Sequence, residues 1–137
     1  MAALTITASQ VLPGGGAVAF TANAAVAITA GQVVYKKTDG TLDLADANGA
    51  AATQAVAGIA QNGAAVGQPV RVQTGGVITL GAGAAPVVGT IYVLSGTPAG
   101  IAPAADLVTG WRNIVLGVGG ATNTLRMRLW DTEQTIP

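Results

Sequence analysis

The chain has 137 residues, of which 50% are hydrophobic and only 9% are charged, and its six basic and six acidic side chains leave no net charge. An ordinary soluble domain carries roughly 25% charged residues, so this composition argues against a basic surface for nucleic acid or a membrane. Histidine and cysteine are both absent, which removes the commonest general base, the commonest metal ligand and the thiol nucleophile.

The first predicted element is a short strand in an N-terminal arm. Residues 3–8 alternate apolar and polar side chains, and Leu4 and Ile6 of this arm are candidate interface residues. Residues 12–16 read LPGGG, which interrupts regular structure because proline lacks a donor and glycine is costly to order. We interpret this stretch either as a flexible loop or as a hinge. A hinge would let the arm reach a neighbouring subunit and pair there as an added strand.

A β-hairpin at residues 31–44 is the strongest local prediction. Val33, Val34 and Tyr35 precede an Asp39-Gly40 turn, and apolar residues alternate with polar ones on the return. Asp-Gly between two such runs favours a hairpin, because a tight turn needs residues that tolerate positive φ. Upstream, residues 17–28 are expected to form two short strands around Asn23.

The remaining elements are short strands separated by glycine-rich turns. Residues 45–55 are expected to form either one helical turn or an Ω-like loop, and one helical turn is expected within 106–110. The polar tail after residue 130 is expected to fray. The predicted strands are 56–60, 70–73, 77–80 (after a turn at 74–76), 89–94 with a return at 101, 113–118 and 125–130.

Two stretches of the chain, 31–80 and 89–130, repeat one order of motifs. Each has a β-branched and aromatic run, a glycine-containing turn, an apolar return, a V-x-G-[IV] strand, and a last strand with arginine in second place (Arg71, Arg126). The pattern predicts an all-β fold: a small β-barrel or sandwich of short strands and Gly-rich turns, with imperfect duplication. The domains are then an N-terminal arm, 1–13, and a single β domain, 14–137.

The sequence shows no arrangement of residues suited to catalysis or to binding a metal or cofactor. Ser9 and Ser95 are the only serines, and neither has a plausible base partner. Asp39, Asp43 and Asp46 lack the order of a calcium loop, and no glycine-rich stretch continues into Gly-Lys-Ser/Thr. We therefore predict a protein that is not an enzyme and that has no cofactor.

The candidate interface residues are the few large or charged side chains of a weakly charged chain. Arg126 and Arg128 share one face of the last strand, where they form either a solvated outer face or a basic pair for acidic groups on a partner. Trp111 and Trp130 are either core and rim anchors or interface hot spots. A surface with so little charge is expected to be covered by copies of itself or by a partner.

Three successive segments, AGQVVYKKTDGTLDLADA, AVAGIAQNGAAVGQPVRVQTGGVITLGA and VGTIYVLSGTPAGIAPAADL, carry a family resemblance over residues 30–130. In this order they resemble the small head-decoration (capsid cement) proteins of tailed bacteriophages. The resemblance implies a β-rich virion protein that binds the major capsid protein on the capsid exterior, commonly as a homotrimer, and clamps neighbouring capsomers. Residues 1–12 would then reach the shell.

The same resemblance implies a protein that is soluble in the host cytoplasm before assembly and is later part of the virion. The alternative is another phage virion β-module: a head-fibre base, a tail component, or a receptor- or glycan-binding domain. A binding module of that kind should bind a soluble ligand as an isolated domain, whereas a cement protein should bind only expanded capsids.

Overall fold

The computed structural model describes residues 4, 6–49, 55–81, 84, 86–121 and 123–136. Within these residues the chain is all-β, with short 3₁₀ helices at Ala8–Gln10 and Ala104–Asp106. The antiparallel sheet curls into a half-barrel, which confirms the predicted fold class. The strands are β1 (Leu12–Pro13), β2 (Val18–Asn23), β3 (Val33–Lys36), β4 (Leu42–Leu44), β5 (Val56–Ala60), β6 (Pro69–Thr79), β7 (Ile91–Leu94), β8 (Ile101–Pro103), β9 (Arg112–Gly120) and β10 (Thr124–Thr135).

Strand β6 lies at the centre of the sheet and divides it into two parts. The strand order is β4-β3-β5-β6-β10-β9-β7-β8, and β1 and β2 also pair with β6. Residues 69–74 of β6 pair with β5 and β2, and these strands with β3 and β4 form the first half-sheet. Residues 75–79 of β6 pair with β10 and β1, and these with β9, β7 and β8 form the second half-sheet.

The predicted turn at 74–76 is wrong, because β6 runs through it as one strand. The register against β2 shifts there, with Val18 opposite Gly75 and Ala19 opposite Gln73. The side-chain amide of Gln73 donates to the carbonyls of Gly75 and Val77 at 3.0 and 2.8 Å. These bonds supply partners where the ladder is irregular, so the two glycines bend the strand without ending it.

Two further local predictions are corrected near the ends of the sheet. The strand pair expected within 17–28 is the single strand β2 followed by an irregular segment that forms two isolated bridges, Ala24↔Leu42 and Ile28↔Ala64. This segment buries Ala24 and Ile28 against the first half-sheet. The helical turn expected within 106–110 is instead the 3₁₀ helix at Ala104–Asp106. Of the stretch 45–55, residues 50–54 lie outside the described residues.

The polar tail expected to fray is the end of β10. Thr135 pairs with Arg112 of β9, and the Arg112 guanidinium contacts the Asp131 carboxylate through two bonds of 2.9 and 3.0 Å. The Thr132 hydroxyl also donates to the carbonyl of Asn113 at 2.6 Å. Pairing with β9 and these side-chain bonds order the tail, although its polar composition predicts fraying.

The structure contains the predicted hairpin and a second one with the same pairing. In the first, Lys36 lies opposite Leu42, and the Gly40 N–H donates to the Lys37 carbonyl with a Gly40 φ of 89°. In the second, Leu94 lies opposite Ile101. Gly40 therefore adopts the positive φ that the Asp-Gly turn predicts.

The two segments with recurring sequence motifs share strand order and register. Strand β3 pairs with β5 as β7 pairs with β9, and each pair has its irregularity at the same step. The matching pairs are Val33↔Ile59 with Ile91↔Val118, Val34↔Gly58 with Tyr92↔Gly117, and Tyr35↔Val56 with Val93↔Val115.

The core consists of two apolar clusters, and they cover the half-sheets unequally. The larger cluster joins both half-sheets and includes Val33, Ile59 and Tyr92. The smaller cluster lies on the other face of the first half-sheet, where it includes Val34 and Val72. Adjacent strand residues point to opposite faces, so β3 and β5 in the first half-sheet have buried residues on both faces.

Candidate interaction surface

Part of one face of the second half-sheet is exposed in the described residues, and we call this part the outer face. Ile91 of β7 lies opposite Val118 of β9, and Val118 lies opposite Arg126 of β10, so these three residues form a row across the strands. Ile91 is 48% exposed and Val118 is 38% exposed. Arg128 and Trp130 follow on β10 and are also exposed, and Trp130 is 64% accessible.

A groove of about 500 Å³ crosses the outer face. Val118, Arg126 and Arg128 line it from the strands, and Val88 lines it from the loop before β7. The loop is fixed to β9 by two backbone bonds, Gly89 N–H to the Gly119 carbonyl at 2.9 Å and Gly119 N–H to the Thr90 carbonyl at 2.8 Å. The groove therefore has a preformed apolar rim.

The loop before β7 has a second anchor. The Tyr92 hydroxyl accepts a bond of 2.8 Å from the Val87 N–H, while the Tyr92 ring is buried in the larger cluster. Val87 and Val88 are held in place by this contact with their side chains 62% and 68% exposed. Two ordered, exposed valines beside Ile91 and Val118 form an apolar patch rather than scattered surface residues.

The outer face carries positive charge. Within the described residues, neither Arg126 nor Arg128 makes an ion pair or a side-chain hydrogen bond. Arg112, in contrast, is paired with Asp131 at 2.9 Å. Residues two apart on a strand point to the same side about 6.5 Å from each other. The two guanidinium groups therefore present an uncompensated pair of charges beside apolar side chains.

The structure brings three of the predicted interface residues together. Arg126, Arg128 and Trp130 alternate along β10 with apolar residues that face the larger cluster, namely Leu125, Met127 and Leu129. The prediction that the two arginines share a face opposite these residues is confirmed.

Trp111 lies elsewhere. Its side chain is half-buried against the larger cluster and covers Gly96 so closely that a Cβ at that glycine would overlap the indole ring. Trp111 is therefore a packing residue of its own domain.

Leu4 and Ile6 also pack on their own chain. Both contact the larger cluster, and the Leu4 N–H donates to the Ile101 carbonyl at 2.6 Å. Val11 is only 5% exposed, and the two residues of β1 pair with β6. The described part of 1–13 thus lies on the domain, where an extended arm was expected, because it buries apolar side chains there.

Val88, Ile91 and Val118 of the outer face are not among the predicted residues. In the sequence each is an apolar residue in or beside a predicted strand, and buried core residues show the same pattern. Their positions in the repeated motif match buried residues of the first segment, Val33 for Ile91 and Ile59 for Val118. The two segments are alike in sequence at these positions, so the sequence does not indicate that the residues are buried in one segment and exposed in the other.

The three clustered aspartates act within the local backbone. The Asp39 carboxylate accepts bonds from the hydroxyl and N–H of Thr41 at 2.6 and 2.9 Å, and the first of these is the main cause that lowers the pKa of Asp39 below its usual value. Asp43 and Asp46 accept N–H bonds from Leu44 and Asn48. The contacts of Asp39 and Asp46 stabilise turns, whereas Asp43 lies within β4.

The described residues contain no group of three or more acidic side chains placed to hold a metal ion. No helix in the described ranges has the length and apolar character needed to cross a membrane.

Comparison with known proteins gives no family for the chain. No protein-family model matches the sequence, and no curated protein is significantly similar to it.

Proposed function

We propose that this protein is a structural virion component that binds the outside of an assembled phage capsid and stabilises it by clamping neighbouring capsomers. The observation that carries the proposal is the ordered resemblance of residues 30–130 to phage head-decoration proteins. In the structure the three resembling segments contain β3 to β8, six successive strands of one sheet. The resemblance therefore extends over six strands of the domain and is not confined to one turn.

The chemistry of the surface supports a structural role. A cement protein adds binding free energy only to the assembled shell, so it shifts the equilibrium away from ruptured shells by mass action. Many copies acting on one shell add modest contacts together. A chain with 9% charged residues and an exposed apolar face suits close packing against a partner surface.

In this proposal the partners are the major capsid protein and further copies of the chain, which assemble as a homotrimer. The protein is soluble in the host cytoplasm until capsids have formed and is then located on the capsid exterior. No catalytic step or cofactor is part of this role.

The exposed side chain of Trp130, two residues along β10 from Arg128 of the groove, favours the alternative, another virion module that binds a receptor or glycan. Aromatic rings at a groove are common in such binding sites. A module of this kind binds its soluble ligand as an isolated domain, whereas a cement protein binds only expanded capsids. Binding of a soluble ligand therefore distinguishes the two functions.

The test is co-sedimentation of the purified protein with shells assembled from the major capsid protein encoded in the same genome. We expect the protein to sediment with expanded shells and to stay in solution with unexpanded shells. Equal binding to both forms would contradict a role that begins after expansion. Failure to bind either form would contradict the proposed function.

A further inference from the structure

We propose that the groove on the outer face, lined by Val88, Val118, Arg126 and Arg128, is the surface that binds the shell, and that it takes an extended acidic segment of the capsid protein. The segment would place apolar side chains on the valines and carboxylates on the two arginines. This inference rests on the proposed function and names the surface and the partner chemistry that would perform it.

Matching strand positions in the two half-sheets differ in how far their side chains are buried. The pair Ile91↔Val118 has the same register as the pair Val33↔Ile59. Val33 and Ile59 are fully buried in the larger cluster, which also contains residues of the second half-sheet. Ile91 and Val118 are the same kind of side chain at the same positions, yet they are 48% and 38% exposed. Among the described residues, the outer face is thus a packing face without a covering layer.

The positive charges of the outer face favour an acidic partner. Arg126 and Arg128 have no carboxylate partner among the described residues, and arginine is well suited to bind carboxylates through two parallel bonds. Covering these side chains with a purely apolar partner would remove their hydration without replacement. The covering segment is therefore expected to bring acidic groups.

A second copy of this chain fits the face less well. Two copies meeting through the same face would place arginines against arginines. Four of the six acidic residues already accept bonds within their own chain, as Asp39, Asp43, Asp46 and Asp131 show. The capsid protein is then the partner that can supply unpaired carboxylates.

The experiment compares three proteins in co-sedimentation with expanded shells: the wild type, the double variant R126E/R128E and the control Arg71→Glu. Arg71 is an exposed arginine that occupies the corresponding motif position in the first segment. Reversing the charges on the outer face is expected to weaken binding about 100-fold, and the control to change it less than about twofold. Circular dichroism and melting curves check that the variants fold. If R126E/R128E does not fold, the milder variant R126Q/R128Q is used in the same experiment.

Salt dependence provides a second readout. Binding of the wild type should weaken as salt rises from about 50 to about 500 mM, and the weak binding of R126E/R128E should not weaken further. If the wild type binds and the double variant binds equally well, the inference is wrong while the proposed function stands. If the double variant keeps its shell binding but changes its mass in light scattering, the face joins copies of the chain, which also overturns the inference. If the wild type does not bind shells, the proposed function fails and this inference fails with it.

Discussion

At the scale of single residues, Gln73 determines how the central strand crosses from one half-sheet to the other. Its side chain is fully buried, and its amide makes three hydrogen bonds of 2.8 to 3.0 Å, to Gly75, Val77 and Gln61. A buried amide is tolerated only when its polar atoms are paired. Here the pairing also satisfies carbonyl groups at the bend of β6.

We expect Gln73→Met to lower the free energy of unfolding by about 2–3 kcal/mol. The substitution keeps the volume but leaves the side chain of Gln61 and the carbonyls near the bend without these bonds. Urea denaturation measures the change. Gln134→Met, at an exposed position of β10, is the control and should shift stability by less than about 0.5 kcal/mol. Equal effects of the two substitutions would show that the Gln73 bonds do not stabilise the bend.

At the scale of elements, the repeated V-x-G-[IV] motif has a common structural cause. Its glycines, Gly58 in β5 and Gly117 in β9, lie against the backbone of the next strand. A Cβ at Gly58 would meet the carbonyl oxygen of Gln73, and a Cβ at Gly117 would meet that of Arg126. Each motif therefore marks a strand whose neighbour approaches too closely for any side chain.

We expect Gly117→Ala to destabilise the protein by about 2–3 kcal/mol, because the added methyl group displaces backbone rather than a movable side chain. Gly75→Ala is the matched control, since a Cβ there has no neighbouring atom within 4 Å, and its effect should stay within about 1 kcal/mol. Urea denaturation of both variants provides the comparison. A Gly117→Ala protein as stable as the wild type would show that β9 and β10 can separate at no cost.

Some of these elements could be predicted from the sequence and others could not. The hairpin of β3 and β4 follows from an Asp-Gly turn and local alternation, so its residues were predictable. The bend of β6 was not, because Thr74-Gly75-Gly76 resembles a turn until distant strands pair on both sides of it. The face shared by Arg126 and Arg128 was predictable from alternation. The exposure of Val118 was not, because it depends on a layer that is present on one half-sheet and absent from the other.

At the scale of the whole molecule, the two half-sheets differ in how far they are covered. The irregular segment after β2 covers the first half-sheet, and the N-terminal segment packs Ile6 and Val11 against the larger cluster. Among the described residues, the outer face of the second half-sheet remains an exposed apolar and positively charged surface. An assembly partner that covers this surface would add free energy to the assembled state alone, which is the physical requirement for a cement protein.

The thermal rupture temperature of expanded shells, with and without saturating protein, tests stabilisation of the capsid most directly. A ligand at about 100 times its Kd adds about 2.7 kcal/mol per site to the bound state. The account predicts a rupture temperature raised by several degrees with the wild type, and little change with R126E/R128E at the same concentration. A rupture temperature that stays the same while the wild type is bound to the shell would contradict it.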